Sequence, residues 1–168
     1  MEKVELAKIK AEDISALLAI YNYYVLNTTA TFHVKVLTEE EMGQLVFFND
    51  PQYETNVIKV EGKICGYVLL TQYKKREAYK RTGEITIYLK SEATGKGIGN
   101  AALRYIERVA QEKGFHALIA TVCAENEPSI KLFTKNGYQK CAHFSEVGWK
   151  FGRWLDIVVF QKILPPPN

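Results

Sequence analysis

A mixed fold, α/β or α+β with a mixed β-sheet flanked by helices, is predicted by three features of this 168-residue chain. Apolar residues switch repeatedly between alternation at every second position and recurrence at every third or fourth, so strand-like and helix-like segments interleave. The stretch from Glu84 to Gly99 runs from a β-branched apolar segment into a loop with Gly95, Gly97 and Gly99, and a helical pattern follows it. No internal repeat and no linker interrupts the chain, so residues 1–164 are expected to form one domain, with 165–168 (Pro165-Pro166-Pro167-Asn168) a disordered tail outside it.

Taken in order, Val4 to Ile9 alternates apolar and polar residues and reads as a half-buried first strand. Ile14, Leu17, Leu18, Tyr21, Tyr24 and Val25 share one helical face behind the acidic start Glu12-Asp13, and the helix ends before the β-branched run at Asn27 to Phe32. Thr38 with Glu41 forms a capping box, which starts a second helix over Glu39 to Phe48, stopped by Asn49-Asp50-Pro51. Asn56 to Val60 and Ile64 to Thr71 read as a hairpin across Glu61-Gly62-Lys63, and Gln72 to Thr82 as a loop. Leu103, Ile106, Val109 and Ala110 place a third helix over Asn100 to Lys113, which Gly114 ends before a fifth strand at Ala117 to Val122. A short helix starts at Asn126-Glu127-Pro128-Ser129 and ends at Gly137; Tyr138 to Phe144 and Trp154 to Lys162 then complete the sheet as a hairpin.

The composition excludes several functional classes. An apolar share of 47%, a charged share of 24% and a net charge of +3 without a clustered Lys/Arg stripe describe a globular protein rather than a nucleic-acid binder. The longest apolar runs, such as Ile157 to Phe160, fall far short of the ~20 residues of a membrane span, and Met1 to Glu5 has no apolar signal region. The expected location is therefore cytoplasmic. Cys65, Cys123 and Cys141 build neither a disulfide framework nor a metal motif and are expected to be buried thiols; His33, His116 and His143 are too scattered to hold a metal.

The glycine loop carries the chemistry. Glycines let the backbone turn tightly and bring several N–H groups to one ligand, and the helix behind them offers free amides and a positive dipole end, so the guest is an anion such as phosphate. A nucleotide P-loop needs Ser or Thr after Gly-Lys, and here Gly97 follows Lys96. A dinucleotide fingerprint through Gly97, Gly99 and Ala102 lacks its acidic residue some 20 positions on, where Phe115-His116-Ala117 stands. A turn without a ligand is the third possibility. The fourth is the acetyl-CoA loop Gln/Arg-x-x-Gly-x-Gly/Ala of the GNAT-type N-acetyltransferases, which Gly95-Lys96-Gly97-Ile98-Gly99 resembles, with Thr94 in place of the first long side chain.

The resemblance to GNAT enzymes widens in Asn126 to Tyr138, where Asn, a short helix and Gly-Tyr repeat the late segment that flanks the pantetheine arm. Within that superfamily the chain is most similar to the phosphinothricin and methionine sulfoximine N-acetyltransferases. The similarity lies in Ile20-Tyr21-Asn22, Asn27 to Phe32, Lys75 to Tyr79, Glu84 to Tyr88 and Gly148 to Asp156. It implies the GNAT acyltransferase fold, acetyl-CoA as cosubstrate, acetyl transfer to the α-amino group of a small amino acid, and a homodimer; an acetyltransferase of protein or polyamine amines and a CoA-binding domain without catalysis are the alternatives.

It also implies roles, position by position. Glu84 matches the family's base; the sequence adds that an acid entering an apolar run is partly buried and raised in pKa, against the alternative of a solvated strand-end carboxylate. Ile87, Tyr88 and Leu89 would flank the pantetheine, with backbone amides near Leu89, where the central strand splays in the superfamily, polarising the thioester carbonyl. Thr94, Gly95, Lys96, Gly97, Ile98, Gly99 and Asn100 would take the pyrophosphate, and Asn126 and Ser129 the arm, Asn126 also being a natural helix cap. Arg76 would hold the acceptor carboxylate, while Phe32, Tyr79 and Tyr88 wall its side chain, packing being the alternative for both tyrosines. Lys150, Arg153 and Asp156 are expected on the far rim or paired with one another. Phe133 stands where many members carry a tyrosine acid, and Phe151 and Leu155 where some relatives carry histidine, which leaves the preferred amino acid open.

Overall fold

A computed structural model describes residues 3–167; Met1 and Glu2, which begin the stretch without an apolar signal, and Asn168 of the proline tail lie outside the described residues. Among the described residues seven strands form one sheet: β1 (Val4–Lys8), β2 (Glu54–Val60), β3 (Lys63–Gln72), β4 (Thr82–Leu89), β5 (Ala117–Cys123), β6 (Gln139–Lys150) and β7 (Arg153–Ile163). Their spatial order is β1-β2-β3-β4-β5-β7-β6. All neighbours are antiparallel except β4 and β5, which run parallel because the helix α3 (Ile98–Glu112) crosses over between them.

Helices cover both faces. Along β4, Ile85, Ile87 and Leu89 turn toward α3, where Ala102, Leu103, Ile106 and Ala110 fill the larger core. The alternate residues Glu84, Thr86 and Tyr88 face the other way, where Tyr88 meets the smaller core under α1 (Ile14–Asn27) and α2 (Glu39–Val46). That period of two decides which side chains of the central strand can serve chemistry and which only pack.

Several boundaries differ from the sequence reading. The third helix starts at Ile98, two residues before Asn100, because Gly97 takes a left-handed conformation (φ 79°) and its carbonyl receives the first intrahelical bond from Ala101 N at 3.1 Å. The second helix stops at Val46, whose carbonyl accepts the Thr55 hydroxyl at 2.7 Å, so Phe47 and Phe48 lie beyond it. The hairpin turn is the two-residue Glu61-Gly62, both with positive φ, as the twist of the flanking strands favours. β6 continues to Lys150 through a bulge between Phe144 and Gly148, where Glu146 adopts φ 55° and its amide donates to Asp156 Oδ1 at 2.7 Å. The polar bulge residues interrupt the alternation, which is why the sequence ends that strand early. Of the three thiols expected inside, only Cys123 is buried; Cys65 is half-buried and Cys141 exposed on β6. The carbonyls of Pro165 and Pro166 accept from Gln111 Nε2 on α3.

Candidate active site

β4 and β5 pair only from Thr82↔Ala117 to Glu84↔Ile119 and then diverge. The divergence opens a cleft of about 660 Å³ between the second half of β4 and the C-terminal half of β5. Hydrogen-bond alternation shows what β4 offers to it. Lys90 N donates to Cys65 O at 2.8 Å, so Lys90, Tyr88, Thr86 and Glu84 direct their amides to β3, and Ile85, Ile87 and Leu89 turn theirs toward the gap. The Tyr24 hydroxyl, reaching in from α1, donates to the Leu89 carbonyl and so confirms that orientation.

At the end of β4 the chain passes through a 3-10 turn, Ser91–Ala93, into the glycine loop. Gly95 (φ 73°) and Gly97 (φ 79°) both hold the left-handed conformation, and a Cβ built at either meets no described residue within 4 Å. Glycine is therefore required there by backbone angle, and the space in front of it is open to a ligand. The amides of Ile98, Gly99 and Asn100 head α3 without an intrahelical partner, and no side chain caps them. Lys131 and Lys135, one turn apart on α4 (Glu127–Lys135), line the same cleft. An uncapped helix end, an empty backbone cradle and two cations fit a diphosphate. Among the described residues, no group of three or more His, Cys, Asp or Glu side chains could hold a metal ion.

Ten residues expected to bind cosubstrate or acceptor line this cleft together, Ile87, Tyr88, Leu89, Thr94, Gly95, Gly97, Gly99, Asn100, Asn126 and Ser129, and so does Phe133 at the position of the family's tyrosine acid. Asn126 is both a wall and a cap, its Oδ1 accepting from Ser129 N at 3.3 Å. Two members of the loop do not line it: Lys96 is exposed, and Ile98 is buried in the core beneath. Glu84, Arg76, Tyr79 and Phe32 also lie outside the cleft lining. Glu84 sits half-buried where β4 and β5 part, on the face it shares with Thr86 and Tyr88, and burial raises its pKa. Arg76 is exposed in the β3–β4 loop; Tyr79 follows it in a 3-10 turn and packs edge-on against Tyr73, with Lys74 over both rings. Phe32 lies against Gly148 of β6, so tightly that a Cβ there would come within 2.5 Å of the ring.

The triad expected on the far rim does not pair internally. Lys150 is buried, which lowers its pKa, and donates to Thr31 O at 2.8 Å. Asp156 is held below its ordinary pKa by the His143 ring, at 2.7 Å, and by the Glu146 amide. Arg153 grips Glu125 with both terminal nitrogens, at 2.7 and 2.6 Å, and Glu125 Oε1 also accepts from Thr29 Oγ1. The fork of Arg153, followed by Thr29, pulls the Glu125 pKa down to about 2.

Glu125, Tyr24 and residues 28–30 also line the cleft, a role the sequence does not assign to any of them. Tyr24 carries the spacing of a core helix residue, and the Glu125–Thr29–Arg153 contact joins positions far apart in the chain, so local pattern gives no signal for either. Tyr138 is core, as its place after Gly137 suggests: it is buried edge-on to Phe133.

The comparisons agree with this geometry. The model of the acetyltransferase (GNAT) family matches residues 17–138. The L-methionine sulfoximine/L-methionine sulfone acetyltransferase of Pseudomonas aeruginosa is 30% identical over 158 residues, 92% of this chain and 91% of that protein. The crystal structure of a phosphinothricin acetyltransferase from Sinorhizobium meliloti in complex with AcCoA superposes with a TM-score of 0.91 at 31% identity, covering 98% of this chain and 93% of that one. A ribosomal-protein-alanine N-acetyltransferase structure from Brucella melitensis gives a TM-score of 0.90 at 35% identity, covering 95% and 99%. With a strand pair that parts beside a half-buried carboxylate, and an uncapped helix behind a glycine cradle, the chain belongs to the acetyltransferase (GNAT) family.

Proposed function

We propose that the protein transfers an acetyl group from acetyl-CoA to the α-amino group of a small amino acid of the methionine sulfoximine, methionine sulfone or phosphinothricin type. Acetyl-CoA supplies the acyl group, activated as a thioester. The observation that carries the reading is the union, in one cleft, of the turned-out amides of Ile87 and Leu89 with the uncapped helix start at Gly99 and Asn100. In this reading Thr94 to Asn100 hold the diphosphate, Asn126 and Ser129 flank the arm, and an amide near Leu89 polarises the reacting carbonyl. Lys96 acts from outside the cleft as a charge, and Ile98 through its backbone.

Glu84 takes the proton of the acceptor ammonium through water. At about 3.3 Å per residue, Glu84 and Leu89 lie roughly 17 Å apart along β4, farther than a small amino acid spans, so the proton travels to Glu84 along a chain of waters rather than directly. Arg76 approaches the acceptor carboxylate from the loop before β4, and Phe32, Tyr79 and Tyr88 bound its side chain. Gly148→Ala tests this pocket, because the added methyl must displace the Phe32 ring. The acceptor KM is expected to rise roughly three- to tenfold, on the order of 1 kcal/mol, with the acetyl-CoA KM unchanged.

Acetylation of a protein N-terminus is the second reading, favoured by the similarity to the Brucella structure. Thiol release measured over amino acids, polyamines and alanine-terminated peptides separates the two. Methionine sulfoximine or a related amino acid is expected to give the highest kcat/KM; a peptide with the highest value overturns the first reading.

The β6–β7 hairpin exposes Phe144, Val147, Trp149, Phe151 and Trp154, each about half accessible, an apolar surface of the kind that partners cover. A homodimer through this hairpin is part of the proposal, and so is a cytoplasmic location, where acetyl-CoA and free amino acids meet. Sedimentation velocity is expected to show a dimer that Trp154→Glu converts to a monomer. A wild-type monomer at micromolar concentration would remove the dimer from the account.

A further inference from the structure

Asn136 closes α4 as its C-terminal cap, and its side chain reaches across to the head of α3. Its Nδ2 donates to Leu132 O at 2.8 Å and to Asn100 Oδ1 at 2.9 Å. A main-chain carbonyl can only accept, so the atom of Asn136 facing Leu132 has to be the amide nitrogen. The same nitrogen then faces Asn100, so the atom it meets there has to be the carbonyl oxygen. This settles the orientation of both carboxamides, which heavy-atom positions alone leave ambiguous. The cap is itself anchored: the Asn136 carbonyl accepts from Lys162 Nζ at 2.9 Å, and that ammonium pairs with Glu107 Oε2 of α3 at 3.0 Å.

Asn100 is the third residue of α3 and lines the cleft. With its oxygen held by Asn136, its Nδ2 is the end left over, and that nitrogen makes no hydrogen bond among the described residues. A carboxamide free to rotate would present either end to an anion, and its oxygen end repels one. We infer that Asn136 is a positioning residue for the cosubstrate: it holds Asn100 with the donor end toward the diphosphate and the acceptor end turned away. The inference rests on the reading of this cleft as the acetyl-CoA site. It adds a residue outside the cleft lining and outside the glycine loop, acting only through Asn100.

Asn136→Asp reverses the arrangement. A carboxylate has no hydrogen to give to Asn100 Oδ1, so Asn100 turns to donate to it and shows its oxygen to the cleft. Calorimetric titration of the full chain with coenzyme A is expected to give a Kd raised roughly tenfold or more, the scale of one charge-assisted hydrogen bond. Asn136→Leu, which frees Asn100 without reversing it, is expected to raise it roughly threefold. The new negative charge acts on the diphosphate directly as well, and a second background separates the two effects. In an Asn100→Ala chain the loss caused by Asn136→Asp, and that caused by Asn136→Leu, should shrink to less than half its logarithm. An equal loss in both backgrounds overturns the positioning role, as does an unchanged Kd in either single variant. If Asn136→Asp does not fold, the Leu variant carries the same cycle. A wild-type chain that fails to bind coenzyme A overturns the cleft reading itself; a binding wild type with an indifferent Asn136 overturns this inference alone.

Discussion

Glu84→Gln is expected to lower kcat by roughly 10²- to 10³-fold, the range of a positioned general base, while the acetyl-CoA Kd stays within about twofold. The carboxylate is half-buried where β4 and β5 part, and it works only when ionised. Burial raises its pKa, so wild-type kcat/KM should climb with pH through a value above the ordinary carboxylate range, and the variant should lose that limb. The same burial has an opposite effect on stability. A carboxyl group whose folded pKa exceeds its unfolded value binds more protons in the folded state at intermediate pH. Its contribution is complete below the unfolded pKa of roughly 4.3 and is lost as pH rises through the folded value. Glu84→Gln should therefore melt above wild type at pH about 7 and level with it near pH 4, a gain in stability at the expense of function. Thermal melts at the two pH values, beside pH–rate profiles, check both halves. A variant that keeps full kcat removes Glu84 as the base.

Gly97→Ala should raise the acetyl-CoA KM roughly tenfold or more, above about 1.4 kcal/mol, by two separable effects. Its φ of 79° lies where an L-residue is strained by about 1–2 kcal/mol, so the loop relaxes away from its geometry. The new methyl also fills a space that no described residue occupies. Gly99→Ala isolates the second effect. Position 99 lies inside α3 without positive φ, and its Cβ would make only ordinary contacts, at 3.5 Å to Leu132 and 3.6 Å to Leu89. Alanine there should leave the fold as stable or slightly more so, and any loss of cosubstrate affinity reports how closely the ligand approaches the backbone. Equal KM values for wild type and Gly97→Ala would show that the cradle holds nothing.

What the sequence disclosed and what it concealed follow from the range of each interaction. The glycine loop was legible because positive-φ positions and an uncapped helix start are local properties, written in Gly95, Gly97 and the helical spacing that follows. Asn126 was legible for the same reason, since a cap and its Ser129 partner are three residues apart. The divergence of β4 from β5 is implied only by the family resemblance and has no signal in the local pattern, because it depends on where two strands more than thirty residues apart cease to pair. Lys150 shows the limit most sharply. Its place beside two other charged residues suggests a surface rim, yet the hairpin folds it inward onto the Thr31 carbonyl, 119 residues earlier in the chain. Glu125 escaped notice as one more charge in a polar loop, although Arg153 and Thr29 fix it at the wall of the cleft.

Nitrogen-edited NMR of the full chain titrated with coenzyme A reads, one by one, the amides assigned to the cosubstrate. The largest shifts are predicted at Gly97, Ile98, Gly99 and Asn100, with a second set at Ile87 and Leu89 on the open side of β4. Shifts confined to the small hollow formed by Lys8, Val46, Phe48 and Thr55, or none at saturating coenzyme A, would contradict that assignment.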